Sequence, residues 1–226
     1  MPREMFDREL QKLQDRLLVL GSMVEQALRD SVANLKKRDL DASRHLVAQD
    51  HILNEKRYEI EGEALILIAT QQPMASDLRQ IAAILEIAIE LERIGDYAKG
   101  IGKINLLIGT APLLKPLVDV PRMAELACDM LHRALQAFTT RDVDLAYLIP
   151  EEDDEVDDLY NQVYRELMTY IVADPKNIEQ ANYLLWAAHN LERAADRVTN
   201  ICERTIFTVT GKLIEISSSD DEILSA

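Results

Sequence analysis

Leu91-Glu92-Arg93-Ile94-Gly95-Asp96 returns 100 positions later as Leu191-Glu192-Arg193-Ala194-Ala195-Asp196. A repeat at that distance makes the chain an internal duplication, with a unit of about half of its 226 residues, far longer than a solenoid motif. Earlier blocks recur at a slightly drifting offset. Asp50-x-x-x-Asn54 aligns with Asp154-x-x-x-Asp158, and Gln72-Pro73 aligns with Asp174-Pro175. Drift of this kind fits insertions in loops, so function is sought in residues that both copies keep.

The unit is helical. With 7 Gly and 7 Pro among long runs of Leu, Ala, Glu and Arg, no alternating strand pattern persists. Six helices are predicted. The first covers about Asp7 to Lys37, with Leu10, Leu13, Leu17, Leu20, Val24, Ala27 and Leu28 on one face at spacings of three and four. The second covers about Ala42 to Ala69 and ends before Pro73, which cannot continue a helix. The third starts near Ser76, placed to cap it, and turns Leu78, Ile81, Ile84, Ala88, Leu91, Gly95 and Ala98 to the core. Helices four, five and six are expected over about Arg122 to Phe138, Val143 to Val172 and Ile178 to Val209, with Pro150 falling inside the fifth or splitting it and a kink expected there. The chain thus reads as all-α: an N-terminal three-helix bundle over 1–108, a linker over 109–121, and a second, similar antiparallel bundle over 122–226 whose Ser217 to Glu222 tail is frayed.

Composition narrows the function. A formal charge of −15, from 25 Lys and Arg against 40 Asp and Glu, disfavours a nucleic-acid partner and suits cations or a basic protein surface. No apolar signal core opens the chain, and the greasy stretch from Ile81 to Leu91 is cut by Glu86 and Glu90, so a cytoplasmic protein is expected. Cys128 and Cys202 lack the spacing of a zinc site or a disulfide framework.

Residues four apart lie one turn apart, so Glu92 with Asp96, and Glu192 with Asp196, direct paired carboxylates at one volume. Like charges so placed cost an isolated helix roughly 0.2–0.5 kcal/mol, and a cation should offset them. Arg93 and Arg193 are candidates for that role on a solvated face. The duplication favours metal instead, because Asp50 with Asn54 and Asp154 with Asp158 supply further oxygens from the second and fifth helices. An oxygen-rich set without His or Cys suits Mg²⁺, Mn²⁺, Ca²⁺ or iron. In helix six the row Glu192, Asp196, Asn200 and Glu203 keeps four oxygen-bearing side chains, whereas helix three reads Glu92, Asp96, Gly100 and Lys103. The C-terminal site is therefore expected to bind more tightly. A ferritin-like oxidase is disfavoured, since none of His45, His51, His132 and His189 follows a Glu by three positions. The chain has no Gly-rich phosphate loop, G-x-S-x-G elbow or His/Cys nucleophile pairing either. Trp186, Tyr160, Tyr164 and Tyr170 read as packing.

Leu91 to Asp96, its copy at Leu191 to Asp196 with Asn200-Ile201-Cys202-Glu203, and the Gln72-Pro73-x-Ala75-x-Asp77-Leu78-Arg79 turn together resemble the PhoU family of phosphate-transport regulators. The resemblance runs from about Phe6 to Phe207. It implies two three-helix bundles, a homodimer, and a cytoplasmic, non-catalytic protein that reaches the membrane only through its partners. Those partners would be the ATPase subunit of the phosphate-specific ABC transporter and the sensor histidine kinase of the phosphate regulon. The implied role is repression of the phosphate-starvation response when phosphate is ample. The resemblance also implies multinuclear metal, with iron, zinc, manganese or magnesium as candidate ions, on Glu92/Asp96, Glu192/Asp196, Asp50/Asn54 and Asp154/Asp158. An accessory of a different phosphate permease and a carboxylate-metal hydrolase or oxidase are the alternatives.

Overall fold

The computed structural model describes residues 2–216, with side chains from residue 3; the Ser217 to Glu222 tail lies outside them. Three long helices form the first half: α1 (Pro2–Lys37), α2 (Leu40–Gln71) and α3 (Ala75–Ile108). The second half consists of α4 (Asp119–Thr140), a short α5 (Val143–Leu148), α6 (Asp153–Ala173) and α7 (Ile178–Thr210). The expected fifth helix is thus two helices, joined at Pro150 by a 3-10 turn over Ile149–Glu152. Proline removes one backbone donor and crowds the preceding turn, which is enough to break the rod there.

Helix ends follow local chemistry. Asp39 accepts from Ala42 N at 2.9 Å, and Asp142 accepts from Leu145 N at 2.9 Å, each opening its helix with a carboxylate cap. The residues before them, Arg38 and Arg141, turn the chain in the left-handed region at φ 60° and 57°. Ser76 does not cap α3, because the helix begins one residue earlier and Met74 stands at the cap without a side-chain bond. Leu78 is 43% exposed and leaves the core face that it was expected to join. The linker is shorter than expected, spanning residues 109–118.

The rest of the apolar spacing holds. Leu13, Leu17, Leu20, Val24 and Leu28 of α1 are at most 2% exposed, as are Ile81, Ile84, Ala88, Leu91 and Ala98 of α3. The two bundles share one continuous apolar core. They meet along α3 against α7 and α1 against α4, with α2 flanking one side and α6 the other. Both central pairs run antiparallel: Glu86 binds Arg204 at 2.7 Å and Glu90 binds Arg197 at 3.3 Å across α3 and α7, and across α1 and α4 Gly21 faces Leu135 while the Glu25 carbonyl accepts from Cys128 Sγ at 3.7 Å. Glu86 and Glu90, which interrupt the apolar stretch of α3, are therefore part of the junction between halves. Arg197 Nε also donates to Tyr97 Oη at 3.4 Å, one repeat of 100 residues apart, so a local pseudo-twofold axis passes between α3 and α7.

Packing between helices differs subtly between the copies. A Cβ on Gly95 would stand 2.7 Å from the Leu53 side chain. The second copy has Ala195 at this place and the smaller Val156 opposite it, so each half reaches similar filling by a different division of volume. Gly95→Ala is expected to lower stability by about 1 kcal/mol, and Leu53→Val in the same chain should recover most of that loss. Urea unfolding of the two single variants and the double variant checks the coupling, which strict additivity would refute.

Candidate functional site

In the first half α2 and α3 bring Asp50 and Asp96 to a common cation, while Asn54 and Glu92 are half-buried on the same two helices. Asp50 is 8% exposed. A cation already sits there: Lys99 Nζ lies 2.5 Å from Asp50 Oδ2 and 3.6 Å from Asp96 Oδ1. The two carboxylates hold the Lys99 ammonium above its ordinary pKa, the hydrogen bond to Asp50 being the larger cause. Arg93, proposed from sequence as the offsetting charge, stands 3.9 Å from Glu92.

The second half is built differently. Asp153 is 4% exposed, its Oδ1 has no hydrogen-bond partner, and Thr199 takes the place of Lys99. Asp157 follows one turn along α6, and Glu192 and Asp196 approach from α7. Burial first, and then the negative charges of Asp196, Asp157 and Glu192, push the Asp153 carboxyl up to about 8. Glu192 Oε2 lies 2.9 Å from His189 Nδ1, and the His189 ring is 5.9 Å from that of Tyr160. Arg193 leaves this site to lie over the Tyr97 ring at 4.7 Å.

Asp153 and Asp157, rather than Asp154 and Asp158, therefore face the α7 pair. Asp154 and Asp158 are exposed. Across α1, α2 and their copies the repeat offset is 103, as the paired turns Arg38-Asp39-Leu40-Asp41 and Arg141-Asp142-Val143-Asp144 show, whereas matching Asp50 to Asp154 uses 104. One residue of slip on a helix turns a side chain by about 100°. The buried series Leu53, Ile60 and its copy Val156, Val163 carried the signal that fixes this register.

Two other expected ligands do different work. Glu203 is buried; its Oε1 accepts from Ile216 N at 2.8 Å, and its Oε2 lies 3.5 Å from Arg204, so it ties down the segment that follows α7. Asn200 is half-buried beside that segment. Lys103 is exposed. Gly100 admits the Asn190 amide, 3.3 Å from where a Cβ would stand. Trp186 and Tyr164 are 54% and 45% exposed rather than packed inside. Burial pushes Cys128 and Cys202 up to about 11 and about 12, so neither thiol ionises near neutrality. As placed, no three His, Cys, Asp or Glu side chains among the described residues stand close enough to enclose an ion. No helix among them is long and apolar enough to cross a membrane.

Comparison with known proteins agrees with the doubled architecture. The family model described as "PhoU domain" matches twice, over residues 17–104 and 120–205. The chain is 38% identical over 221 residues to a phosphate-specific transport system accessory protein PhoU homolog of Caulobacter vibrioides, covering 97% of this chain and 96% of the relative. The homolog so named from Rhizobium meliloti is 36% identical over 221 residues, covering 97% and 93%. The crystal structure of PhoU from Pseudomonas aeruginosa superposes with a TM-score of 0.86 at 33% identity, covering 92% of this chain and all of that one. A doubled domain match, near-full-length relatives and a shared fold place the chain plainly: it belongs to the PhoU family, whose members are accessory proteins rather than enzymes.

Proposed function

We propose that the chain is a cytoplasmic accessory of a phosphate-specific transport system, contacting the transporter's ATPase subunit and a sensor histidine kinase to repress the phosphate-starvation response when phosphate is ample. The observation that carries this reading is the family match in both halves, joined to relatives named as accessories of that system. Surfaces of long, charged helices around one shared core suit docking better than catalysis. Repression requires that the protein bind one conformational state of its partner more tightly than another, since a ligand shifts an equilibrium only by its differential affinity. A homodimer is part of the proposal. From membranes of cells grown in ample phosphate, the tagged chain should co-purify with the phosphate transporter's ATPase subunit. Recovery of another phosphate permease in its place would assign the chain to that permease instead.

Metal is the second element of the proposal, and the two halves fit it unequally. The carboxylates around Asp153, with one buried oxygen unsatisfied, suit a hard cation, which would supply the positive charge that Lys99 supplies in the first half. Ion loading requires side-chain rotation, because the groups do not enclose an ion as placed. The first half does not fit metal while Lys99 is bound there. In Mn²⁺ titrations followed by thermal midpoint, Glu192→Ala/Asp196→Ala should lose most of the metal-induced rise, and Glu92→Ala/Asp96→Ala should keep it. Equal losses from the two double variants would overturn the asymmetry.

A further inference from the structure

An open groove of about 840 Å³ runs between α1 and α2 in the first half, walled by Leu18, Met23, Ala27, Leu46 and Leu53, with the Asp50–Lys99 pair at its side. Asp30 stands in its lining and accepts from the Gln26 amide at 2.9 Å.

The second half shows what chemistry fills this place. At an offset of 103, Ala27 becomes Met130, Asp30 becomes Arg133, Leu46 becomes Ile149 and Gln49 becomes Glu152. Met130 and Ile149 are fully buried. Arg133 crosses from α4 to clasp both oxygens of Glu152, and its Nε donates to Asp129 at 2.7 Å. The copy thus closes its own groove with a methionine and an arginine three residues apart on one helix. The first half has the same frame with the methionine cut back to alanine and the arginine reversed to aspartate. Its lining is mainly apolar and carries Asp30 besides the paired Asp50 and Lys99, on a chain of charge −15.

We propose that this groove receives a helix of a partner protein that presents an Arg or Lys three or four residues from a Met, Leu or Ile, the apolar side chain entering over Ala27 and the cation pairing with Asp30. Helix-in-groove recognition reads such i, i+3 anchors. The inference goes beyond the transporter reading and requires neither metal nor a particular partner. Side chains rather than a small molecule are the occupant because side chains occupy the same place in the copy.

The test uses the full chain and a stapled helical peptide of zero net charge carrying Met and Arg three residues apart. Fluorescence anisotropy should show micromolar binding. Ala27→Met/Asp30→Arg/Gln49→Glu, which imports the second half's own filling and changes the net charge by one unit, should abolish binding while its thermal midpoint stays level or rises. Asp30→Arg alone should weaken the peptide about tenfold, as loss of one charge pair does, and a peptide with Glu in place of Arg should restore it. No binding to the parent overturns the proposal, as does unchanged binding to the filled variant or failure of the charge swap. Loss of a parent dimer in the filled variant by sedimentation would also overturn it, making the groove a contact between copies.

Discussion

Asp153→Asn is expected to stabilise chelator-treated protein by about 3 kcal/mol at pH 8, roughly half of what a shift from 3.8 to about 8 is worth if nothing relaxes. That gain corresponds to a rise in Tm of roughly 6–12 °C for a chain of this size. The sign follows from proton linkage. In the unfolded chain the carboxyl ionises near 3.8, while in the fold it holds its proton up to about 8, so the folded state binds the extra proton throughout that interval. The group costs nothing below pH 3.8, progressively more as pH rises, and the full amount above 8. The stability difference between variant and parent should therefore be near zero at pH 4 and grow to pH 8. Thr199→Lys should produce a similar gain by supplying the ammonium that Lys99 supplies to Asp50, and it should remove the response to Mn²⁺. Thermal melts across that range decide the matter, and an offset independent of pH would refute it.

The converse experiment acts on the first half. Lys99→Met leaves Asp50 buried beside Asp96 without its cation and should destabilise by about 3 kcal/mol, because an orphaned buried charge loses its Coulombic partner and keeps its desolvation cost. Lys99 has a folded pKa raised above its ordinary 10.5, so the stability linked to its own proton is fully present below 10.5 and is lost as pH rises through the folded value. Urea midpoints at pH 7 measure the loss. Adding Asp50→Asn to Lys99→Met should return much of the stability; if the double variant is no better than the single, the ion pair is not the cause.

Much of this was legible in the residues. The spacing of Leu13, Leu17, Leu20, Val24 and Leu28 gave α1 its buried face, and Pro73 and Pro150 gave two breaks, because periodicity and proline act locally. The conspicuous Glu-x-x-x-Asp copies lie on the faces of α3 and α7 that stand beside Asp50 and Asp153. The partner face on α6 was missed by a single residue, because acidic residues run together over Glu151 to Asp158 and several registers match by charge alone. Only the apolar positions and the Arg-Asp turns separate those registers. The exchange of Lys99 for Thr199 weighs more than those of Gly100 for Asn200 and Lys103 for Glu203. The reach of Lys99 across to α2 is a tertiary fact that one helix does not state. The groove was invisible for a related reason: it is made by what Ala27 and Asp30 fail to fill.

The antiparallel meeting of α3 and α7 about a pseudo-twofold axis has the form of an interface between identical subunits, written within one polypeptide. In a true symmetric pair every substitution appears on both sides, so a lysine that satisfies one site satisfies the other, and neither can specialise. Covalent fusion releases that constraint while keeping the two modules at high effective concentration. One module is then free to carry its own counter-ion and an open groove, while the other carries a filled groove and a buried carboxyl, Asp153, with no lysine beside it. The duplication thus yields a division of labour: one sequence motif, used twice, supports two different chemistries from a single folded unit.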